Sequence, residues 1–459
     1  MSITQRMARF ALSLQYQAIP ADALKEARRF MLDSIGCALA ASRNEDMLAA
    51  HRYIEKLGGT PEATVIASGL KTNAPNAALM NSLLIRALDY NDIYWKQDPS
   101  HPSDIIPAAL AAGEKANRNT RDLMVGIIIA YELEMRWCLA ATPGIREVGW
   151  HHATLTQFVS PFVAARLLGL NEDQMVAAAG ISGSSHFTLG GVVAGHLTNM
   201  KNTADPLATE AGVHAALLAA EGYSGPVEVI EGKEGLYEVV HNVEWSTEKL
   251  LGGLGQDFLI TECGYKAFPT EALTHQPITA ALNLRQEHAL TSENIASVLV
   301  KTTTRGADIL SDPSKYKPTT KETADHSLPY CIAAALVDGH VLPSSFNDEK
   351  LKDQRIWDML GKIKVVADPE IDAMFPAVKR AIVTITTTDG RSFTEQVDHA
   401  KGSPENPMTD EDIIDKFKAN AADVFDERHQ QEIIDATFRL GEQDLPIADY
   451  MKLLVRRNA

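Results

Sequence analysis

Side chains that can transfer a proton or bind an anion are concentrated in five polar segments, and each segment borders an apolar helical pattern. Asp89 and His101 lie in the first segment, "LDYNDIYWKQDPSHPSD", which holds more ionisable residues than a connecting loop requires. Histidine, carboxylate and lysine groups together indicate acid–base chemistry on an anionic small molecule. The other segments are "GWHH", "NMKNTADP", "KAFPTEALTH" and "DHSLPY", with the candidate residues His151, Lys201, Lys266, Glu271, His275 and Tyr330.

Each candidate also has a purely structural interpretation. Asp89 ends the helical pattern "NAALMNSLLIRALD", where a carboxylate meets the negative end of the helix dipole and is usually solvated. His101 could make one structural hydrogen bond in its loop. The pair His151-His152 is more often structural than catalytic, and Lys201 could be a surface residue.

Motifs for cofactor binding do not occur in the sequence. There is no GxGxxG, P-loop, GxSxG or CxxC motif, and the histidine pair lacks the HExxH spacing typical of zinc sites. The sequence therefore shows no obvious cofactor site, and the case for a metal at the histidine pair is weak.

Apolar residues recur at helical spacing through most of residues 1–260, so the polar segments lie between helices. Asn171 followed by Gln174 predicts a capping box, and Gly180 predicts the end of that helix. Ser103 or Asp104 could cap the helix after His101, and Asp98 is interpreted as a loop residue. These elements would hold the polar segments at helix ends.

The pattern changes after about residue 262. "SVLVKTTT", "IKVVADPEI" and "RAIVTITTTDGRSFTEQV" are rich in β-branched residues, and Asp389-Gly390 predicts a hairpin between two strands. The predicted fold is mainly α with an α+β part. It comprises an all-α helical domain (residues 1–262), a smaller α+β lid domain (263–402) and C-terminal helices that return to the helical domain (403–459). A cleft between the domains would be a natural binding pocket.

Composition excludes several classes of partner. The 459 residues carry a formal net charge of −17 without a run of Lys or Arg, so neither nucleic acid nor an anionic membrane is an expected partner. Four scattered cysteines and the lack of a long apolar run predict a cytoplasmic protein in a reducing environment. The N-terminal segment is interpreted as a first amphipathic helix, with a transit peptide as the alternative.

Taken together, "LDYND…HPSD", "GWHH", "NMKNTADPLATEAGV", "KAFPTEA" and "DHSLPY" resemble the signature blocks of the MmgE/PrpD superfamily, in family order over nearly the whole chain. Members of this superfamily dehydrate 2-methylcitrate, decarboxylate cis-aconitate or epimerise iminodisuccinate. The resemblance implies a helical domain with an α+β lid, a homodimer, an active site between the domains, and no metal or organic cofactor.

The resemblance also implies active-site residues, which are Asp89, His101, His151, Lys201, Lys266 and Tyr330. We expect the lysines, with Glu271 and His275 nearby, to bind substrate carboxylates. The two histidines are the acid and base candidates, in an order that the sequence leaves open. Asp89 would orient or polarise one of them, and Tyr330 would donate to a developing enolate-like oxygen.

Departures from the decarboxylase branch favour dehydration. Ile93 stands where that branch has threonine, Glu271 stands where it has histidine, and "DHSLPY" replaces Arg-His-Ser-Phe-Gln-Tyr. The sequence therefore predicts a hydro-lyase of propionate metabolism that dehydrates a 2-hydroxy tricarboxylate, 2-methylcitrate, to 2-methylaconitate. The alternatives are decarboxylase or epimerase-like activity within the superfamily, and a non-catalytic helical binding protein.

Overall fold

Two hydrophobic cores organise residues 1–456, which are the residues that the computed structural model describes. The larger core draws its side chains from Ile3 to Tyr265 and again from Met408 to Leu454. The smaller core is built from Leu273 to Ile385, with Trp95 added from the other part of the chain. We call the region of the larger core the body and the region of the smaller core the lid. The domain boundaries at 262 and 402 stay a prediction.

The body is helical, as its apolar periodicity predicts. A central helix, Thr120–Ala140, begins at the N-cap Asn119 and is buried along nearly its whole length. The other body helices are Ile3–Ser13, Ala21–Ala41, Glu45–Leu57, Ala74–Arg86, Ile106–Lys115, Ala153–Thr156, Ser160–Leu168, Glu172–Ser185, Met200–Ala220, Leu236–Val239, Thr247–Leu251, Asp410–Ala421, Glu427–Phe438 and Ile447–Leu453.

The lid is a mixed sheet covered by helices, so the predicted fold class is confirmed. Its strand order is Ser392–Val397, Ala381–Thr387, Ile295–Thr302, Ile363–Ala367, with the last pair parallel and the others antiparallel. Gly390 turns the predicted hairpin at a φ of 86°, which a residue with a side chain rarely adopts. The lid helices are His275–Glu287, Thr304–Ile309, Lys321–Ala324, Leu328–Asp338, Gln354–Leu360 and Pro369–Asp372.

Short strand pairs and 3₁₀ turns connect the helices. The antiparallel pairs are Ala63–Thr64 with Lys71–Thr72, Tyr94–Trp95 with Pro99–Ser100, and Ala141–Thr142 with Glu244–Trp245. The second of these pairs carries Trp95 out of the body into the lid core, where its ring meets Phe375 edge-on at 5.7 Å. His101 follows this pair directly, so the body and the lid meet beside it.

Two local predictions about helix ends are wrong. The capping box of Asn171 and Gln174 is present, but its helix continues past Gly180 to Ser185. A Cβ at Gly180 would lie 2.4 Å from the carbonyl oxygen of Pro226, so this glycine permits close packing and does not end the helix. Ser103 and Asp104 lie in the 3₁₀ turn Pro102–Ile105, and neither side chain caps the next helix.

All four cysteines are buried and unpaired with one another. No helix within residues 1–456 combines the length and the apolarity that a membrane span requires.

Candidate active site

A cleft lies between the body and the lid, and most of the predicted site residues line it. The body contributes the loop after helix Ala74–Arg86, the "GWHH" segment and the start of helix Met200–Ala220. The lid contributes the segment around Glu271 and the residues before helix Leu328–Asp338. The polar residues that line the cleft are Arg86, Asp89, His101, Arg146, His151, His152, Lys201, Lys266, Glu271, Arg305 and His326.

Asp89 is the anionic centre of the cleft. It lies three residues beyond helix Ala74–Arg86 at a φ of 49°, and the turn directs its carboxylate inward among cations. Its oxygens lie 3.0 Å from Lys201 Nζ and 2.8 Å from Lys266 Nζ, and one accepts a hydrogen bond from Arg86. Burial opposes ionisation, but these three cations hold the pKa of Asp89 well below its usual value. The solvated helix-end interpretation is therefore wrong.

The two predicted lysines differ in their free hydrogen-bonding capacity. Lys266 Nζ donates to the carbonyl oxygens of Asp89 and Thr270, at 3.1 and 3.0 Å, as well as facing the Asp89 carboxylate. Lys201 Nζ is buried and, among the described residues, has an ion-pair contact with Asp89 without hydrogen-bond alignment to any group. Burial and the charge of Arg86 lower the pKa of Lys201 to about 7. Lys201 thus retains N–H groups for a ligand, whereas the N–H groups of Lys266 already have partners in the protein.

His101 has its proton position fixed by the backbone. Its Nδ1 lies 2.6 Å from the carbonyl oxygen of Asp92, and a carbonyl only accepts, so Nδ1 carries the hydrogen. Asp92 is held in turn by Ser103, which donates from its backbone N–H and its hydroxyl. Burial and the nearby charge of Arg86 lower the pKa of His101 well below its usual value. The ring is neutral, and Nε2 is a free proton acceptor.

His151 is held in the opposite tautomer. The backbone N–H of Ala153 donates to its Nδ1 at 3.2 Å, so in the neutral ring the hydrogen is on Nε2. Burial and the adjacent His152 lower the pKa of His151 well below its usual value. His101 therefore offers an acceptor nitrogen and His151 a donor nitrogen to the same cleft.

His152 forms an ion-pair contact that the sequence interpretation missed. Its Nε2 lies 3.2 Å from Asp205 Oδ2, and both side chains are buried. Burial opposes ionisation of Asp205, but His152 and Arg86 hold the pKa of this carboxyl below its usual value. Asp205 lies four residues after Lys201 on the same helix, so the "NMKNTADP" segment contributes both groups.

Two arginines in the cleft were also missed. Arg146 is half-buried, and within residues 1–456 its guanidinium has no carboxylate partner. Arg305, from the lid, pairs with Glu147 and lies over the Trp95 ring at 5.7 Å. Since Arg146 directly precedes Glu147 and the "GWHH" segment, the two guanidinium groups bring body and lid cations to one side of the cleft. A guanidinium binds carboxylates in a bidentate manner.

The lid adds a series of polar contacts next to Asp89. His326 Nε2 lies 3.6 Å from Asp89 Oδ2, and its Nδ1 contacts Asp325. Lys321 Nζ lies 3.1 Å from Asp325 and 2.8 Å from the carbonyl oxygen of Ala87. Asp325 and His326 belong to the predicted "DHSLPY" segment, so the segment does reach the cleft, but through these residues.

Tyr330 is the predicted residue that the structure places elsewhere. It is fully buried in the lid core beside Phe346, and its hydroxyl donates to the carbonyl oxygen of Ser345 at 2.9 Å. It is not among the residues that line the cleft. The donation from Tyr330 to the substrate stays a prediction, and in the structure the hydroxyl already has an acceptor outside the cleft.

Glu271 and His275 occupy different positions. Glu271 lines the cleft, its carboxylate accepts from the N–H of Leu273 at 2.6 Å, and burial raises its pKa. His275 lines a larger neighbouring cavity that shares Ile93, Trp95, Lys266 and Ala272 with the cleft. Its Nε2 faces the carbonyl oxygen of Thr270 at 3.4 Å, and burial lowers its pKa to about 3. Lys266 Nζ donates to the same carbonyl, so His275 is linked to the Asp89 group although it does not line the cleft.

A metal ion could be considered at one point of the cleft. Nitrogen and oxygen atoms of His151, His152 and Asp205 lie within 4.8 Å of one another in the described part of the chain. The Asp205 carboxylate already faces His152, and the positive charge of Arg86 acts on it. Because those charges oppose a further cation, we assign the group to hydrogen bonding and ion pairing.

A helical body, a smaller α+β lid and an acid–base cleft between them define the class of protein to which the chain belongs. Residues 5–248 match the model of the MmgE/PrpD N-terminal domain, and residues 268–440 match that of the MmgE/PrpD C-terminal domain. The chain is a member of the MmgE/PrpD family, as its signature blocks predicted.

Curated relatives with two different named activities match this chain with the same sequence identity. The chain is 27% identical to a 2-methylcitrate dehydratase of Salmonella typhimurium, over 96% of this chain and 95% of the relative. It is also 27% identical to a cis-aconitate decarboxylase of Aspergillus terreus, over 95% and 93%. A 2-methylcitrate dehydratase of Escherichia coli K12 is 26% identical, over 96% and 95%. Identity therefore places the chain among dehydratases and decarboxylases without separating them.

Proposed function

We propose that the protein is a hydro-lyase that dehydrates a 2-hydroxy tricarboxylate, 2-methylcitrate, to 2-methylaconitate. The observation that carries this proposal is the pair of opposite tautomers, with His101 Nε2 as an acceptor and His151 Nε2–H as a donor. Removal of a proton from the carbon next to a carboxylate needs a free proton acceptor. The negative charge that then develops on the carboxylate needs hydrogen-bond donors. A dehydration requires both in one cleft.

Cations in the cleft match a substrate with several carboxylates. Arg146 and Lys201 have hydrogen-bonding capacity to spare, and Arg305 faces them from the lid. Each charge-assisted hydrogen bond would contribute about 1.5–3 kcal/mol. These groups would create a local positive site in a chain whose formal net charge is −17.

The proposed chemistry begins at His101. Its neutral Nε2 accepts the proton from the carbon next to a carboxylate, and the negative charge that develops spreads onto that carboxylate. The Nε2–H of His151 stabilises this charge by a hydrogen bond, and the ammonium of Lys201 binds a carboxylate of the substrate throughout the reaction. Asp89 keeps Lys201 and Lys266 in place and remains ionised throughout.

Ile93 favours dehydration over decarboxylation. Its apolar side chain lines the cleft at the position where the decarboxylase branch of the superfamily has a hydroxyl group. A cis-aconitate decarboxylase or an epimerase-like enzyme is the second candidate, because a decarboxylase matches at the same identity as the dehydratase. We further propose a cytoplasmic homodimer, as the superfamily resemblance implies.

The test is a substrate screen on purified protein in buffer that contains EDTA. Proton NMR in deuterated water would follow 2-methylcitrate, cis-aconitate and iminodisuccinate, since it detects dehydration, decarboxylation and α-proton exchange together. We expect formation of 2-methylaconitate, unaffected by the chelator and lost in His101→Gln. Carbon dioxide release from cis-aconitate, exchange without dehydration, or turnover that EDTA abolishes would each overturn the proposal. An exposed-site variant, His196→Asn, is the matched control.

A further inference from the structure

Dehydration needs an acid as well as a base, and the two predicted histidines do not supply a charged one. Expulsion of hydroxide is slow unless the leaving oxygen receives a proton. His101 and His151 are both buried neutral rings, with their pKa values lowered by burial. The acid must therefore be held where a negative group balances its charge.

Two histidines in the cleft have a carboxylate partner, His326 on Asp325 and His152 on Asp205. Burial lowers the pKa of His326 to about 4, so that ring is neutral, which leaves His152. Its Nε2 lies 3.2 Å from the Asp205 carboxylate, and Asp205 is kept ionised by its surroundings. Both ring nitrogens are buried and make no aligned hydrogen bond within residues 1–456, so Nε2 is held by its contact with the carboxylate and Nδ1 has no partner. A cleft-lining imidazole with one nitrogen on a carboxylate and the other unpartnered can transfer a proton through the unpartnered nitrogen.

His101, His151 and His152 lie so close together that only one of the three rings is expected to be charged at a time. The His152 ring lies 3.9 Å from the His151 ring and 5.7 Å from the His101 ring, centroid to centroid. A charge on His152 disfavours a second charge on either neighbour, which keeps His101 available as the base. Several titratable or charged groups interact with His152 or with Asp205, and they include Asp98, Asp104, Glu134, His101, His151 and Arg86.

Asp205 itself is positioned from two sides. Thr156 Oγ1 lies 3.4 Å from its second carboxylate oxygen and 2.9 Å from Glu134 Oε1, to which it donates. This contact holds the carboxylate against the ring, so Asp205 acts as a positioning residue and does not itself touch the substrate.

We propose that His152, held by Asp205, is the acid that protonates the leaving hydroxyl group. The inference rests on the proposed dehydration. The C–H proton passes to His101 Nε2, and the C–H electron pair becomes the new C=C bond. The C–O bond breaks with its electron pair on oxygen, which takes the proton from His152 Nδ1 and departs as water. His101 ends protonated and His152 neutral, and exchange with solvent restores both.

The experiment compares two leaving groups in His152→Asn. The asparagine amide places an N–H near the position of Nδ1 but cannot give up its proton. The substrates are 2-methylcitrate and its analogue with fluorine in place of the hydroxyl, because fluoride leaves without being protonated. We expect kcat/KM for 2-methylcitrate to fall by about 100-fold or more in His152→Asn, while fluoride release stays near that of the unaltered protein. His101→Gln should lose both reactions.

Two results would overturn the assignment. One is a His152→Asn variant that dehydrates 2-methylcitrate as well as the unaltered protein, and the other is an equal loss with both leaving groups. A measurement without substrate tests the dyad separately, by ¹⁵N NMR of the histidine rings. In Asp205→Asn we expect the ¹⁵N chemical shifts of the His152 ring to change, because Nε2 loses its carboxylate partner, and unchanged shifts would refute the dyad. Absence of turnover by the unaltered protein, with that change present, would refute the proposed function instead.

Discussion

Lys201 Nζ lies 3.0 Å from Asp89 Oδ2 without donating an aligned hydrogen bond to it. The ammonium is thus held by charge at the wall of the cleft, while its N–H groups stay available. A lysine in this state is suited to bind a carboxylate that arrives, and its charge depends on pH.

Substrate binding should weaken as pH rises through about 7. Burial lowers the pKa of Lys201 to about 7, so the side chain is charged below that pH and neutral above it. We expect KM for the tricarboxylate to rise above pH 7 while kcat changes less, measured by initial rates between pH 6 and 8.5, a range of about one unit or more on each side of that pKa. Lys201→Arg, which stays charged, should flatten the rise, and the exposed Lys452→Met should leave it unchanged. A KM that increases equally in Lys201→Arg would contradict this role.

Asp89→Asn should destabilise the protein strongly. The substitution leaves Lys201 and Lys266 buried without their counter-charge, at a cost of about 3–5 kcal/mol in the free energy of unfolding. Because the pKa of Asp89 is held below its usual 3.8, the carboxylate contributes above that pH, and the contribution is lost only as pH falls through the lower folded value. Urea unfolding at neutral pH measures the difference. The exposed pair Arg43–Asp423 supplies the control, since Asp423→Asn should cost less than about 1 kcal/mol.

Tyr330→Phe should keep its activity. The hydroxyl donates only to the carbonyl oxygen of Ser345 in the lid core, so its loss should cost about 1 kcal/mol of stability and leave kcat/KM unchanged. Thermal unfolding and initial rates on the same preparation separate the two effects. A large loss of kcat without a loss of stability would show that Tyr330 reaches the substrate after all.

Glu134→Gln should remove a pH dependence of stability. Burial raises the pKa of Glu134 from 4.5 to about 8, although Ser100 and Thr156 donate to it. The folded state retains the proton while the unfolded chain releases it, so this contribution is complete below pH 4.5 and is lost as pH rises towards 8. The stability of Glu134→Gln relative to the unaltered protein should therefore increase between those two pH values in urea unfolding. The exposed Glu55→Gln should show no such trend.

Local patterns predicted the parts of the fold that local physics decides. Helical periodicity gave the buried helix Thr120–Ala140, and Asp389-Gly390 gave the hairpin of the lid. The family blocks predicted that Asp89, Lys201 and Lys266 belong to one site, because shared motifs carry information about distant contacts.

Other features depend on contacts that no local pattern encodes. The tautomer of His101 is decided by the carbonyl of Asp92 across a turn, and that of His151 by one backbone N–H. The inward or outward direction of Tyr330 depends on how helix Leu328–Asp338 rotates against the sheet. Arg146 lies three residues before the "GWHH" segment, and Asp205 lies within "NMKNTADP". A charged residue in or near a candidate catalytic segment was the signal that could have revealed them.

The Trp95 ring connects the two cores. It leaves the body on the strand pair before His101 and is 8% exposed within the lid core, with Phe375 on its edge and Arg305 and Lys379 over its faces. The lid cannot separate from the body without exposing this ring to water, at a cost of a few kcal/mol. The two cores are thus energetically coupled, and denaturation of the chain should be a single cooperative transition despite its two-core architecture.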